Sequence, residues 1–276
     1  MNQVVARRVF AFLSAMLLGL AAAVHAQQDR PALEGMWSDP PATIVDTFCL
    51  FFCTDAGIDY LNALLDNPDN DERPTMELYT EAGNHQRDQY LRPRLTAAGL
   101  ETLELDPADD PGFLYCEPWA FAREIFAPHQ LEITQLGDRV EFRYGEWEIR
   151  RTIYLDGRQR PADQPASPMG YSVGRYEGET LVIETSGIRA NLAPWGFGFL
   201  PFPFDGKHSD QLRALERYTR SEEGDRLLLS ATLEDPWALR EPLVLKKVWS
   251  WAPDQEISPY EDCERPTEFS RRVAKP

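Results

Sequence analysis

The chain has 276 residues, 43% hydrophobic and 26% charged. That balance is globular, which excludes disorder, collagen and coiled coil as descriptions of the whole. With 45 acidic against 28 basic residues the formal net charge is -17, so a phosphate backbone is repelled and nucleic acid is not an expected partner.

Residues 1–26 have the pattern of an export signal. Arg7 and Arg8 precede an apolar run over 9–23, and Val24-His25-Ala26 forms a small-residue cleavage site before Gln27. The run is shorter than the roughly 20 residues a membrane span needs. The expected product is a periplasmic or secreted chain of 250 residues (276 − 26) with no membrane span. Its net charge is -19, because only Arg7 and Arg8 leave. Export makes Cys49, Cys53, Cys116 and Cys263 expected disulfide cysteines, with three pairings open. The short spacing of Cys49 and Cys53 suits a local loop, which leaves Cys116 with Cys263. Their spacing does not match a paired C-x₂-C zinc signature.

The section over 27–110 reads as helical. Ile58, Leu61, Leu64 and Leu65 recur at spacings of three and four, which predicts an amphipathic helix over 55–65. Asn67-Pro68-Asp69-Asn70-Asp71 breaks it. Pro74 opens a second helix reaching about residue 92, before Pro93. Thr96 is an N-cap candidate for a third, ending near residue 103. The turn cluster over 106–112 closes the section.

The section over 111–276 reads as an antiparallel β domain, forming one compact unit with the helical part. Strands are predicted over 130–136 and 139–144 around Gly137-Asp138, with Val140, Phe142 and Tyr144 on one buried face. Others fall over 147–155, over 171–176 and 180–185 around Glu177-Gly178, and over 212–219, 226–233 and 243–251. About eight strands joined mostly by short turns form a meander that closes into a barrel or sandwich. The aromatic segment 195–204 holds two Pro and two Gly, so it is expected to plug or cover one end of that barrel rather than join a ladder.

Several phrases stand out together along the chain. They are Cys116-Glu117-Pro118, the run 151–157 (RTIYLDG), the run 170–182 (GYSVGRYEGETLV), His208-Ser209-Asp210, Glu216-Arg217-Tyr218 and Glu234-Asp235-Pro236. In these the chain resembles a family of exported bacterial proteins of uncharacterised function, over roughly residues 95–265. The resemblance implies a β-rich fold and carries no activity with it.

Three histidines remain after processing. His208 stands near Asp205 and Asp210, either of which can orient an imidazole acting as a general base. His129 reads as a strand-end residue and His85 as a helix-surface partner of Glu81. No His pair has metal-ligand spacing, and no glycine motif for a nucleotide or G-x-S-x-G elbow is present, so no cofactor is expected. Period two puts Arg151 with Ile149 and Ile153, Arg175 with Tyr171 and Val173, and Glu216 with Ala214 and Tyr218. If those faces are interior, three charges point inward and must be paired or bind something.

The leading functional expectation is therefore a binding module that holds a small, largely apolar ligand in a barrel or cleft. Arg151, Arg175 and Glu216 would set its polarity beside Tyr171, and Trp195 in the aromatic segment would cover the mouth. The alternatives are a cofactor-independent periplasmic hydrolase, lyase or isomerase with His208 as base, and an envelope interaction protein.

Overall fold

The computed structural model describes residues 32–38, 43–102, 118–145, 147–190 and 207–257. The signal-like N-terminus, Cys116, Cys263, Trp195 with its aromatic segment, and Asp205 lie outside the described residues. Nine strands close into a barrel in chain order. They are β1 (Gly35–Ser38), β2 (Leu131–Gln135), β3 (Arg139–Tyr144), β4 (Arg150–Tyr154), β5 (Tyr171–Glu177), β6 (Thr180–Ser186), β7 (Arg213–Arg220), β8 (Arg226–Glu234) and β9 (Leu243–Trp251). The mainly β meander read from the sequence is this barrel.

Two details differ from the expectation. First, β1 is a ninth strand inside the section read as helical. Its four residues are too short to show an alternation, and a tight approach fixes it. Gly35 has φ +127°, and a Cβ there would lie 2.2 Å from the Trp251 ring, so only glycine fits. Second, β4 and β5 pair in parallel, through Ile153 with Ser172 and Tyr154 with Val173. The long connection over 155–170 carries the chain back to the end where β4 began, as a parallel neighbour requires. All other neighbours are antiparallel.

The inner face follows the two-residue period. Val140, Phe142 and Tyr144 from β3 meet Tyr218 from β7 and Trp249 from β9, all buried. The Phe142 and Tyr218 rings meet edge to face at 5.1 Å, a favoured aromatic geometry. A short helix, α5 (Phe121–Glu124), adds Phe121, Ile125 and Phe126 to the same core. Its first amide, on Phe121, donates to the Pro168 carbonyl at 3.0 Å, which ties it to the wall where β4 and β5 part. At one end Arg220 lies over the rings of Trp37 and Trp251, at 5.2 and 4.8 Å, and donates to the Ala32 carbonyl at 2.9 Å.

Among the described residues the other α-helices are α1 (Ile44–Phe48), α2 (Asp55–Leu65), α3 (Thr75–Gln86) and α4 (Ala97–Glu101). The α2 bounds match the sequence pattern, and the Thr54 side chain caps the Gly57 amide. Thr96 caps α4 in the same way. The second predicted helix stops being α-helical at Gln86, passing through a π turn over Arg87–Leu91 and a 3₁₀ turn over Arg92–Arg94. Pro93 lacks the amide that would continue the ladder.

These helices have a specific task in closing the barrel. Because β1 is short, it pairs with β9 only at Trp251 and Ser250, leaving the rest of that β9 edge open. The N-terminal section covers it. Cys53 exchanges two 2.8 Å backbone bonds with Lys246, and the Val248 amide donates to the Cys49 carbonyl. The Val244 amide donates to the Tyr90 hydroxyl at 3.0 Å. Cys49 and Cys53 are joined by a disulfide with Cα atoms 4.8 Å apart. The tight loop thus stands in for the missing length of β1, and an unpaired edge is avoided. Among the described residues no helix is long and apolar enough to cross a membrane.

Candidate functional site

The interior holds a polar cluster centred on Arg151 and Glu216, and apart from it the buried Lys247 of β9 donates to the Ala127 carbonyl and lies 4.3 Å from the Trp249 ring centre. Arg151 from β4 and Glu216 from β7 form a two-pronged ion pair, with Nη1 to Oε2 at 2.8 Å and Nη2 to Oε1 at 2.6 Å. Both residues are buried. The remaining donors and acceptors are also used. Arg151 Nε donates to Ser172 Oγ at 2.9 Å and Nη2 to Thr185 Oγ1 at 2.6 Å. Tyr218 donates to Glu216 Oε2 at 3.0 Å, and the guanidinium stands 5.0 Å from the Phe121 ring centre. Burial alone lowers the Arg151 pKa, but the Glu216 carboxylate reverses this and holds it above its ordinary value. Burial pushes the Tyr144 hydroxyl up to about 12 and raises Tyr218 well above 10. The cluster is internally satisfied, which suits a pair that fixes packing rather than one waiting for a ligand.

The third inward charge is not there. On β5 the inward residues are Ser172 and Gly174, and Tyr171, Val173 and Arg175 face outward. Arg175 is exposed and paired with Glu177 at 2.8 Å and Glu184 at 2.6 Å. The inward reading of β5 is thereby corrected. The strand turns its small residues in because Arg151 needs the Ser172 hydroxyl, and because a Cβ at Gly174 would strike Ile153 Cγ2 at 2.6 Å.

Tyr171 and Arg175 instead line a cleft on the outer wall. It has two lobes of about 700 Å³ each, which share Arg160, Ser186, Arg213 and Glu234. One lobe adds Tyr171, Val173, Arg175, Glu184, Leu215 and Thr232. The other reaches Asp210, Gln211 and Pro236. The register builds its floor, because Val173 faces Glu184, Glu184 faces Leu215, and Leu215 faces Thr232 in one row across four strands. Arg213 stands opposite Glu234 in a neighbouring row. The volume is in the range of small-molecule sites. The lining is mixed, with arginines and carboxylates beside Tyr171, Val173 and Leu215.

His208 is buried in the segment that leads into β7, and Nδ1 lies 3.0 Å from the Ser209 carbonyl. Burial lowers its pKa, and the Ser209 carbonyl and then Asp235 partly offset this. Among the described residues the carboxylate acting on it is thus Asp235, whereas Asp210 is exposed and lines the cleft. Asp235 is buried and accepts from the Ser209 amide at 2.6 Å, the Ser209 hydroxyl at 2.7 Å and the Trp237 amide at 3.1 Å. Ser209 and Asp235 are absent from the sequence-based candidates, though both sit in phrases that carry the family resemblance. Glu216 faces Ala231, four residues from Asp235, which separates the two polar centres by about 13 Å along the strand. The base reading needs His208 to share a space with Arg151 or Glu216, and no described contact joins them.

His85 stacks on Tyr60 with ring centres 4.0 Å apart, while Glu81 accepts from Tyr60 and Arg73. His129 neighbours Trp119 at 5.5 Å. No group of three or more His, Cys, Asp or Glu able to hold a metal occurs among the described residues. No family model matches the chain, and a search of curated proteins finds no match.

Proposed function

We propose that this protein is an exported binding module whose small-molecule ligand lies in the outer cleft of β5–β8, with the barrel interior as its frame. The observation carrying the reading is the cleft itself, a recess of ligand size in which Tyr171 and Arg175 stand with Arg160 and Arg213. The saturated Arg151–Glu216 pair argues against the interior, since a ligand there would have to displace an ion pair already completed by Ser172 and Thr185. Export rests on the signal-like N-terminus and on a disulfide suited to an oxidising compartment.

Native mass spectrometry of the protein taken from its exported fraction tests this. The expected species starts at Gln27, lacks four hydrogens for two disulfides and carries a discrete adduct. Arg213→Glu, a change on an exposed side chain, removes the adduct and leaves the fold intact. A clean mass, or an adduct that survives Arg213→Glu, contradicts the reading.

A further inference from the structure

From the arrangement of donors and acceptors in the cleft we infer its ligand class, a short, neutral, hydroxyl-rich chain of the oligosaccharide type. This inference rests on the cleft being the binding site. The named charges of the cleft balance, with Arg160, Arg175 and Arg213 against Glu184, Asp210 and Glu234. A simple anion or cation would therefore meet as much repulsion as attraction. The charges also alternate across the wall, because Arg175 is bonded to Glu184 at 2.6 Å and Arg213 faces Glu234 across the β7–β8 ladder.

Guanidiniums only donate hydrogen bonds and carboxylates only accept them. A hydroxyl does both, so one sugar hydroxyl can accept from an arginine and donate to the neighbouring carboxylate. Ser186, Thr232 and Gln211 extend the same mixed lining. Tyr171 supplies an aromatic ring at one lobe, held against Tyr154 with ring centres 5.3 Å apart. That ring suits the apolar C–H face of a pyranose. The two lobes share Arg160, Ser186, Arg213 and Glu234, and their combined volume has room for several linked units rather than a single ring.

The test is isothermal titration of the mature chain with maltotriose, cellotriose and N,N′,N″-triacetylchitotriose, and in parallel with the dipeptide Ala-Ala and with decanoate. The inference expects one trisaccharide to bind saturably, with affinity changing less than about twofold between low and high salt. Arg213→Ala and Glu234→Ala should each weaken it by about tenfold, with thermal melting confirming that both variants are folded. If Ala-Ala or decanoate binds with that same dependence and no sugar does, the sugar class is wrong and the cleft stands. If a trisaccharide binds but neither substitution matters, the site is elsewhere and both claims fall. If no probe binds, the oligosaccharide class is overturned, and the native-mass adduct judges the cleft separately.

Discussion

Arg151 and Glu216 belong to the interior of the barrel, and their partners define what they do. The two charges occupy each other, and Ser172, Thr185 and Tyr218 take the lone pairs and protons left over. Removing one charge strands the other in a dry space. Glu216→Gln should therefore cost about 3–5 kcal/mol in chemical denaturation, as for other broken buried pairs. Replacing both residues together with Met and Leu should cost far less, because no uncompensated charge remains. A ligand-bearing pair would behave differently, since the double replacement would abolish binding whatever its effect on stability. The sequence marked both residues through the two-residue period, because a charge on a buried face is conspicuous. It misled at Arg175, where Tyr171 and Val173 looked like an inner face. Apolar residues that line a cleft on the outer wall follow the same alternation as core residues, and the inward Ser172 and Gly174 carry no hydrophobic signal.

At the scale of elements, the weak joint is the one between β1 and β9, and the N-terminal helical section makes it good. The Cys49–Cys53 loop, Tyr90 and the 92–94 turn lie along β9 and the turn before it, supplying the backbone partners that a longer β1 would have supplied. Substituting both cysteines by alanine should lower stability by about 2 kcal/mol, the amount expected for releasing so short a loop. Hydrogen exchange should quicken at the Lys246 and Val248 amides first and spare the β6–β7 ladder. Uniform loosening of all nine strands would contradict this account of the loop.

The same elements mark the limit of sequence reading. α2 was legible to the residue, because its apolar stripe and the following break agree, and the Thr54 cap found in the structure fixes the same start. β1 was not, since four residues carry no period and its glycine reads as a turn. The parallel β4–β5 pairing was hidden as well, because periodicity places residues on faces and says nothing about strand direction. Asp235 escaped for a third reason. Its significance comes from a Ser209 that is 26 positions away in the chain and adjacent only in the fold.

At the scale of the whole molecule the barrel is a closed, packed frame, and the proposed binding site lies on its outer wall. That division follows from filling. Phe142, Tyr218, Trp249 and Phe121 of α5 occupy the interior, and the Arg151–Glu216 pair among them is completed by Ser172, Thr185 and Tyr218. An interior of this kind holds its tyrosines un-ionised, because a phenolate has no water to solvate it. The sign follows from the direction of the shift. With folded values above the ordinary 10.0, the contribution of Tyr144 and Tyr218 to stability is complete below that pH. It is lost as pH rises past 10 toward the folded values, where the unfolded chain releases its protons first.

The most direct measurement is an alkaline titration of the folded protein followed by the ring-carbon NMR signals of its tyrosines. The account predicts that Tyr144 stays protonated until about pH 12 and that Tyr218 does not ionise before the protein unfolds. Tyr144 and Tyr218 ionising near the ordinary 10.0 in a still-folded chain would mean a wet, open interior. Binding would then belong inside the barrel and not on its wall.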